Sequence, residues 1–353
     1  MFLKIVIGLG VVAAAFFGLT EPGRYLAHGA WQEVKILTGR QPIETLLRDS
    51  TVDGETRAKL ALVLEAREFA VRELGLKAKK SFTTYTKLDS DTLTLLLTVA
   101  YRDSLALHTW WWPIVGRVPY KGYFDFDAAR EERKKFDDRG YDTELRPSAA
   151  FSTLGWFNDP VLSTTLQSDS TFLVNTVIHE LVHNTFWIPG DVNFNESYAS
   201  FVGREGAAAF FRARGDSANT ARLQRDRPFE QAIGTFYEQL YRTLDSAFKA
   251  HPGADQRARR IAVRDTVFAA ARARLANEIA PAFGIRDTTW ARRVRLNIAS
   301  LLARRVYRDD AAEFERLYAK MNNDLPATIA RIAEVAKQAP KGSAFAAVAA
   351  AAK

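Results

Sequence analysis

Residues 175–206 read NTVIHELVHNTFWIPGDVNFNESYASFVGREG, and the rest of the chain is best read outward from this stretch. His179, Glu180 and His183 form an H-E-x-x-H pattern. On a helix, two His four residues apart stand on one face, one turn apart, so both imidazoles reach a single ion. Glu180 follows the first His and faces the open side of that ion, where it can take a proton from a bound water. The helical premise has support on both flanks. Ser168, Asp169, Ser170 and Thr171 are N-cap candidates ahead of an apolar run, and Pro189-Gly190 is a stop signal. The spacing predicts a helix of roughly 18 residues, within the usual range. A buried helix carrying two His by chance is the competing reading, and a chain with only five His weighs against it.

A catalytic zinc site takes three protein ligands and leaves one position open. Glu196 is the candidate third ligand, because it opens a second helix after a turn rich in Gly, Asp and Asn. On that helix Ala199, Ser200, Gly203 and Ala207 share its face, a stripe of small residues that lets two helices approach closely. The plain alternative for Glu196 is an acid favoured by the helix dipole. Asp191, in the intervening turn, is the fallback ligand.

These residues resemble the gluzincin arrangement of zinc metallopeptidases, H-E-x-x-H followed by a Glu on the next helix. More narrowly, they are similar to a bacterial aminopeptidase family with the signature H-E-L-x-H…G-D-x-x-F-N-E-S-x-A-x-F-V-x-x-E-G. The likeness extends to residues 112–116, 120–124 and 152–157 and touches Leu296-Asn297, so it covers most of the chain. Two departures from the better known gluzincins stand out. Twelve residues separate His183 from Glu196, a shorter gap than theirs, and Ser200 stands where they place an Asp that helps orient a His. The resemblance implies a zincin-like core and one Zn²⁺ held by His179, His183 and Glu196. It also implies that substrate lies along an edge strand over the metal. Residues 152–157, strand-like and with Gly155-Trp156 at their centre, are the candidate edge, against the alternative of an ordinary interior strand.

Composition frames the whole. With 353 residues, 47% of them hydrophobic and 25% charged, the chain has ample material for a core of one large domain or two lobes. The absence of Cys excludes disulfides and a lipid-modified N-terminal Cys. Residues 1–20 read as a signal-anchor, or as a signal peptide: Lys4 is followed by an uncharged apolar run from Ile5 to Leu19. The positive amino end puts the catalytic domain on the non-cytoplasmic, periplasmic side of a bacterial membrane.

Residues 30–76 carry helical periodicity, with Gly75 as C-cap; residues 82–101 turn to strands. The Trp110-Trp111-Trp112 run reads first as packing, with a membrane-interface belt or a substrate wall as alternatives. Beyond Gly206 the chain reads as helical throughout, and Arg-rich helices there carry most of the +8 charge. Acids are dispersed among those arginines and no nucleic-acid-reading motif accompanies them, so they read as solvated faces and nucleic acid is not an expected partner.

The fold expected is therefore α+β, mainly helical, with a small sheet before the H-E-x-x-H helix and a helical C-terminal lobe. Its expected divisions are residues 1–20 as anchor or signal, 21–206 as zincin core, 207–344 as helical lobe and 345–353 as a flexible tail. The function expected is zinc-dependent peptide hydrolysis at the membrane, with Glu180 as general base and Tyr241 or Tyr307 as donor to the oxyanion. Free N-termini would be held by Asp159 or Asp191 in an aminopeptidase. An endopeptidase, or a metal-stabilised binding or assembly protein without catalysis, are the alternatives; a purely structural site has no need of Glu180.

Overall fold

The computed structural model describes residues 15–112, 116–148, 158–305 and 311–353. It is mainly helical, 66% helix, with small sheets, in keeping with the expected class. The chain opens with helices α1 (Glu21–Thr38), α2 (Ile43–Arg48) and α3 (Gly54–Arg72). Gly75, at φ +70°, turns the chain beyond α3, where its missing Cβ removes the steric penalty.

Strands follow in two three-stranded groups and one hairpin. In the first group β2 (Thr84–Thr86) pairs antiparallel with β1 (Gln41–Pro42) and parallel with β8 (Val161–Leu162). In the second, β3 (Thr94–Ala100) lies between β6 (Tyr120–Tyr123) and β7 (Asp142–Ser148), antiparallel to both. Between them β4 (Trp110–Trp112) and β5 (Gly116–Val118) form the hairpin, and α4 (Phe126–Asp138) packs on the central sheet through Ala129 and Phe136.

The site helices come next, α5 (Ser170–Thr185) and α6 (Val192–Ala213). On α6, Phe194, Tyr198, Phe201, Val202, Phe210 and Phe211 are all buried, so apolar residues run nearly round it and it lies central to the main core. Beyond it run α7 (Ser217–Lys249), α8 (Arg257–Arg274), α9 (Ile298–Arg305), α10 (Ala311–Lys320), α11 (Leu325–Gln338) and α12 (Ala344–Ala352).

Two cores result. The larger joins α2, α3, α5 and α6 to α10–α12; the smaller is built by α7, α8 and α9 around Phe236, Leu244, Phe268 and Leu301. The last three helices thus return to the first core. Residues 345–353, expected as a flexible tail, are helical instead up to Ala352, with Val348 fully buried and Phe345 stacked edge-on against Phe194 at 5.1 Å. Burial of one Phe and one Val outweighs the fraying that an Ala-rich sequence favours.

A buried ionic network ties the central sheet to the second core. Asp142 on β7 accepts from Arg264 and from the Ile298 N–H at 2.9 Å, and Asn297 Nδ2 donates to the Thr143 carbonyl at 2.9 Å. Other arginines of this half are also paired, Arg260 with Asp103 and Arg227 with Glu205 among them.

The start of α5 yields a stability prediction. Asp169 caps it, accepting from the N–H groups of Thr171 (2.9 Å) and Phe172 (3.1 Å), and pairs with Arg222 at 3.1 Å. Asp169→Ala should cost about 1 kcal/mol in denaturant unfolding. Partial burial alone would raise the Asp169 pKa; the bonds from Thr171 and Phe172 and the charge of Arg222 outweigh it and hold the carboxyl below its usual range. Its stabilisation is therefore present above the unfolded carboxylate pKa and lost as pH falls through the lowered folded value. The deficit of Asp169→Ala relative to the parent should shrink in acid, and a deficit constant down to strongly acid pH would contradict this role.

Candidate metal centre

The helix predicted from residues 168–190 forms as α5 and stops earlier than its sequence signals indicate. Phe186 is already extended, at φ −147° and ψ 130°. The reason lies in Asn195, fully buried on α6. Its amide Nδ2 donates to the Ile188 carbonyl at 2.8 Å, and its Oδ1 accepts from the Ile188 N–H at 2.9 Å. This two-way clamp draws residues 186–188 out of the helix and onto α6. The end of α5 is held elsewhere too: Thr185 Oγ1 accepts from the Lys77 N–H (2.8 Å), and Asn184 Nδ2 donates to Ser81 Oγ (3.1 Å).

His179 and His183 stand one turn apart with ring centroids 4.9 Å apart and their Nε2 atoms 3.2 Å apart. Glu196 faces both, Oε2 at 3.4 Å from His179 Nε2 and Oε1 at 3.6 Å from His183 Nε2. Ligand atoms of all three lie within 4.8 Å of one another. Three ligands at about 2.0–2.2 Å from a tetrahedral ion are separated by roughly 3.3–3.6 Å, so these residues fit a metal ion. Two imidazoles and a carboxylate are the donor set that suits zinc, although the same donors bind other divalent ions.

Gly203, two turns beyond Glu196 on α6, makes the approach possible. A Cβ there would lie 2.6 Å from Asn175 Oδ1, 3.0 Å from the Asn175 carbonyl and 3.2 Å from His179 Cβ. The small-residue stripe is thus a contact surface against α5, and Gly206 extends it, with Ile178 Cγ2 at 3.0 Å from the position of a Cβ.

The electrostatics follow from crowding. Burial opposes the charged form of His179, but the hydrogen bond to Glu196 and the charges of Glu180 and Glu196 outweigh it and raise its pKa. Burial likewise works against ionisation of Glu196, yet hydrogen bonds from His179 and His183 bring it down to about 2. Glu196 is therefore an ionised carboxylate ready to ligate. Glu180 Oε2 and His183 Nδ1 are among the buried polar atoms of the described residues that have no hydrogen-bond partner. An unpartnered buried carboxylate oxygen is costly and calls for a role. The unpaired His183 nitrogen accords with the absence of an orienting carboxylate noted in the sequence. The Trp187 ring stands edge-on to His183 at 5.4 Å and packs beside it.

The other candidates fall in different places. Asp191 is the N-cap of α6, its carboxylate accepting from the Phe194 N–H at 3.3 Å, and it is outside the metal group. Asp159 is buried, and its carbonyl accepts from the Phe82 N–H at 2.9 Å. Its carboxylate acts on Glu33, whose pKa is raised by burial first and by Asp159 second, with Arg40 opposing. The Asp159 backbone, through its bond to Phe82, lies one residue along the chain from Ser81, the partner of Asn184 on α5. Asn184 follows Glu180 by four residues, on the same helix face. Tyr241 packs against the second core. Gly155, Trp156 and Tyr307 lie outside the described residues. Asn195 and Glu33 were not singled out from sequence. Asn195 had a signal, an amide next to a ligand and after a turn; Glu33 had none, since its link to Asp159 spans distant parts of the chain.

Fold and site together define a mainly helical protein whose helix pair could hold one metal ion. The family described as "Putative aminopeptidase" matches residues 24–344, and the chain belongs to that family. Membership supports a peptidase activity. No curated protein and no solved structure matches the chain.

Proposed function

We propose that this chain is a zinc-dependent aminopeptidase with a zincin-like core, attached to a membrane by its N-terminal segment. The observation that carries the reading is the convergence of His179, His183 and Glu196 beside the unpartnered Glu180 oxygen. The three residues would hold the ion, which when bound would supply a Lewis acid for the scissile carbonyl and make the attacking water more acidic. Glu180 takes a proton from the attacking water and gives it to the departing amine, cycling between carboxylate and carboxylic acid. Its Oε2 has no hydrogen-bond partner, which suits both states.

Selection of free N-termini requires a carboxylate for the substrate ammonium. Asp191 is committed to capping α6, whereas Asp159 is a buried carboxylate whose charge acts on Glu33. Asp159 is therefore the anchor in this reading. Acetylating a substrate's α-amine should cost on the order of 2–5 kcal/mol in kcat/KM. Asp159→Asn should then impair free-amine peptides far more than acetylated ones. Equal cleavage of blocked and free peptides by the parent protein would make it an endopeptidase.

The apolar run from Ile5 to Leu19 supports membrane attachment, and Lys4 supports a non-cytoplasmic catalytic domain. Most of that run lies outside the described residues, among which no helix is long and apolar enough to cross a membrane.

A further inference from the structure

Trp110 and Trp111 of β4 do not share one environment. Trp110 points inward, its ring 4.8 Å from His108 and 6.1 Å from Phe136. Strand alternation sends the next side chain to the other face, and Trp111 is 64% exposed. Its antiparallel partner on β5 is Arg117, so the two side chains leave the same face of the hairpin. Arg117 is exposed as well, and bonds the Thr109 hydroxyl at 3.3 Å.

This hairpin sits close to the point where the apolar N-terminal run joins the fold. The first turns of α1 rest on β6: Tyr25 Oη donates to the Gly122 carbonyl at 2.6 Å, and Glu21 pairs with Lys121 at 3.6 Å. Lys121 is only three residues beyond Val118, a reach of at most about 11 Å of chain. Leu19, just before α1, is 78% exposed, Phe16 and Phe17 are exposed beside it, and Trp31 on α1 is 58% exposed. Phe16, Phe17 and Leu19 thus expose large apolar side chains at the end of a run that in sequence is uncharged from residue 5.

We propose that the β4–β5 hairpin is a second membrane contact, in which Trp111 enters the headgroup region of the bilayer and Arg117 meets lipid phosphates. The proposal rests on membrane attachment through the N-terminal segment and is independent of the metal chemistry. Three features favour a bilayer as the occupant. An aromatic ring beside a cation suits the membrane–water interface, the apolar run emerges nearby, and the chain carries a net charge of +8. With two attachment points, the catalytic body would hold one orientation over the membrane instead of swinging on a single tether.

The chain has no cysteine, so one substitution creates a unique labelling site. Full-length Trp111→Cys, Arg117→Cys and Trp290→Cys would each carry a nitroxide and be reconstituted with phosphatidylcholine vesicles containing phosphatidylglycerol. Arg117→Cys keeps Trp111 in place, and Trp290, an exposed tryptophan outside the hairpin, is the reference. Collisions with a water-soluble nickel chelate should be roughly ten-fold rarer at positions 111 and 117 than at 290, as expected for interfacial residues. Equal nickel access at all three sites in vesicle-bound protein would overturn the hairpin contact and leave the N-terminal attachment standing. Protein that remains unbound to the vesicles would overturn both. Neither result bears on zinc or hydrolysis.

Discussion

Glu180→Gln is expected to retain the metal and lose about 10²–10⁴-fold in kcat, the usual worth of a positioned general base. The amide has nearly the shape of the carboxylate but cannot take a proton from water. Because Glu180 is not one of the three converging ligands, metal content should stay at the parent level. The substitution also removes a negative charge that acts on His179. The variant's His179 should therefore hold a proton less tightly in the metal-free protein, and metal uptake should extend to slightly lower pH. A fully active Glu180→Gln protein would remove the general base from the account. A metal-free one would mean that Glu180 helps to hold the ion.

Gly203→Val is the second large effect. Its Cβ alone would fall 2.6 Å from Asn175 Oδ1, 3.0 Å from the Asn175 carbonyl and 3.2 Å from His179 Cβ. Either α6 retreats from α5 or His179 turns away. Overpacking of this kind costs about 1–3 kcal/mol of stability. The loss at the site should be larger, because Glu196 lies on the same face of α6, two turns away, and moves with the helix. Metal affinity should fall at least about ten-fold, in line with other disturbances of ligand orientation. Gly215→Ala is the comparison: that glycine caps a turn at φ +72° with nothing within 4 Å of the added methyl, so it strains the backbone and spares the helix contact. Metal affinity that survives Gly203→Val would show that the close approach of the helices is not what positions Glu196.

The grouping of His179, His183 and Glu196 was legible from sequence because its geometry is local. His179 and His183 are linked by helix periodicity alone, and Glu196 by a short turn and the small residues on its own helix. Their convergence within 4.8 Å needed no long-range information. Asp191 misled for the same reason: an Asp in a turn before a helix reads equally as a ligand or a cap, and the Phe194 N–H decides for the cap. What the sequence concealed depends on pairing across distance. Strand β7, with Pro147 near its end, carries little strand signal, yet it pairs with β3 along seven residue pairs from Thr94–Ser148 to Ala100–Asp142. The return of α10–α12 to the first core was equally hidden, because Phe314 meets Phe194 and Phe201 across more than a hundred residues. The Asp159–Glu33 coupling is a third case, joining α1 to the segment before β8.

The most direct measurement is the metal content of purified full-length protein by elemental analysis, with the His179→Ala/His183→Ala double variant beside it. One zinc is expected per parent chain, none in a folded double variant, and weakened binding in Glu196→Ala. A folded double variant that retains stoichiometric zinc would contradict this expectation.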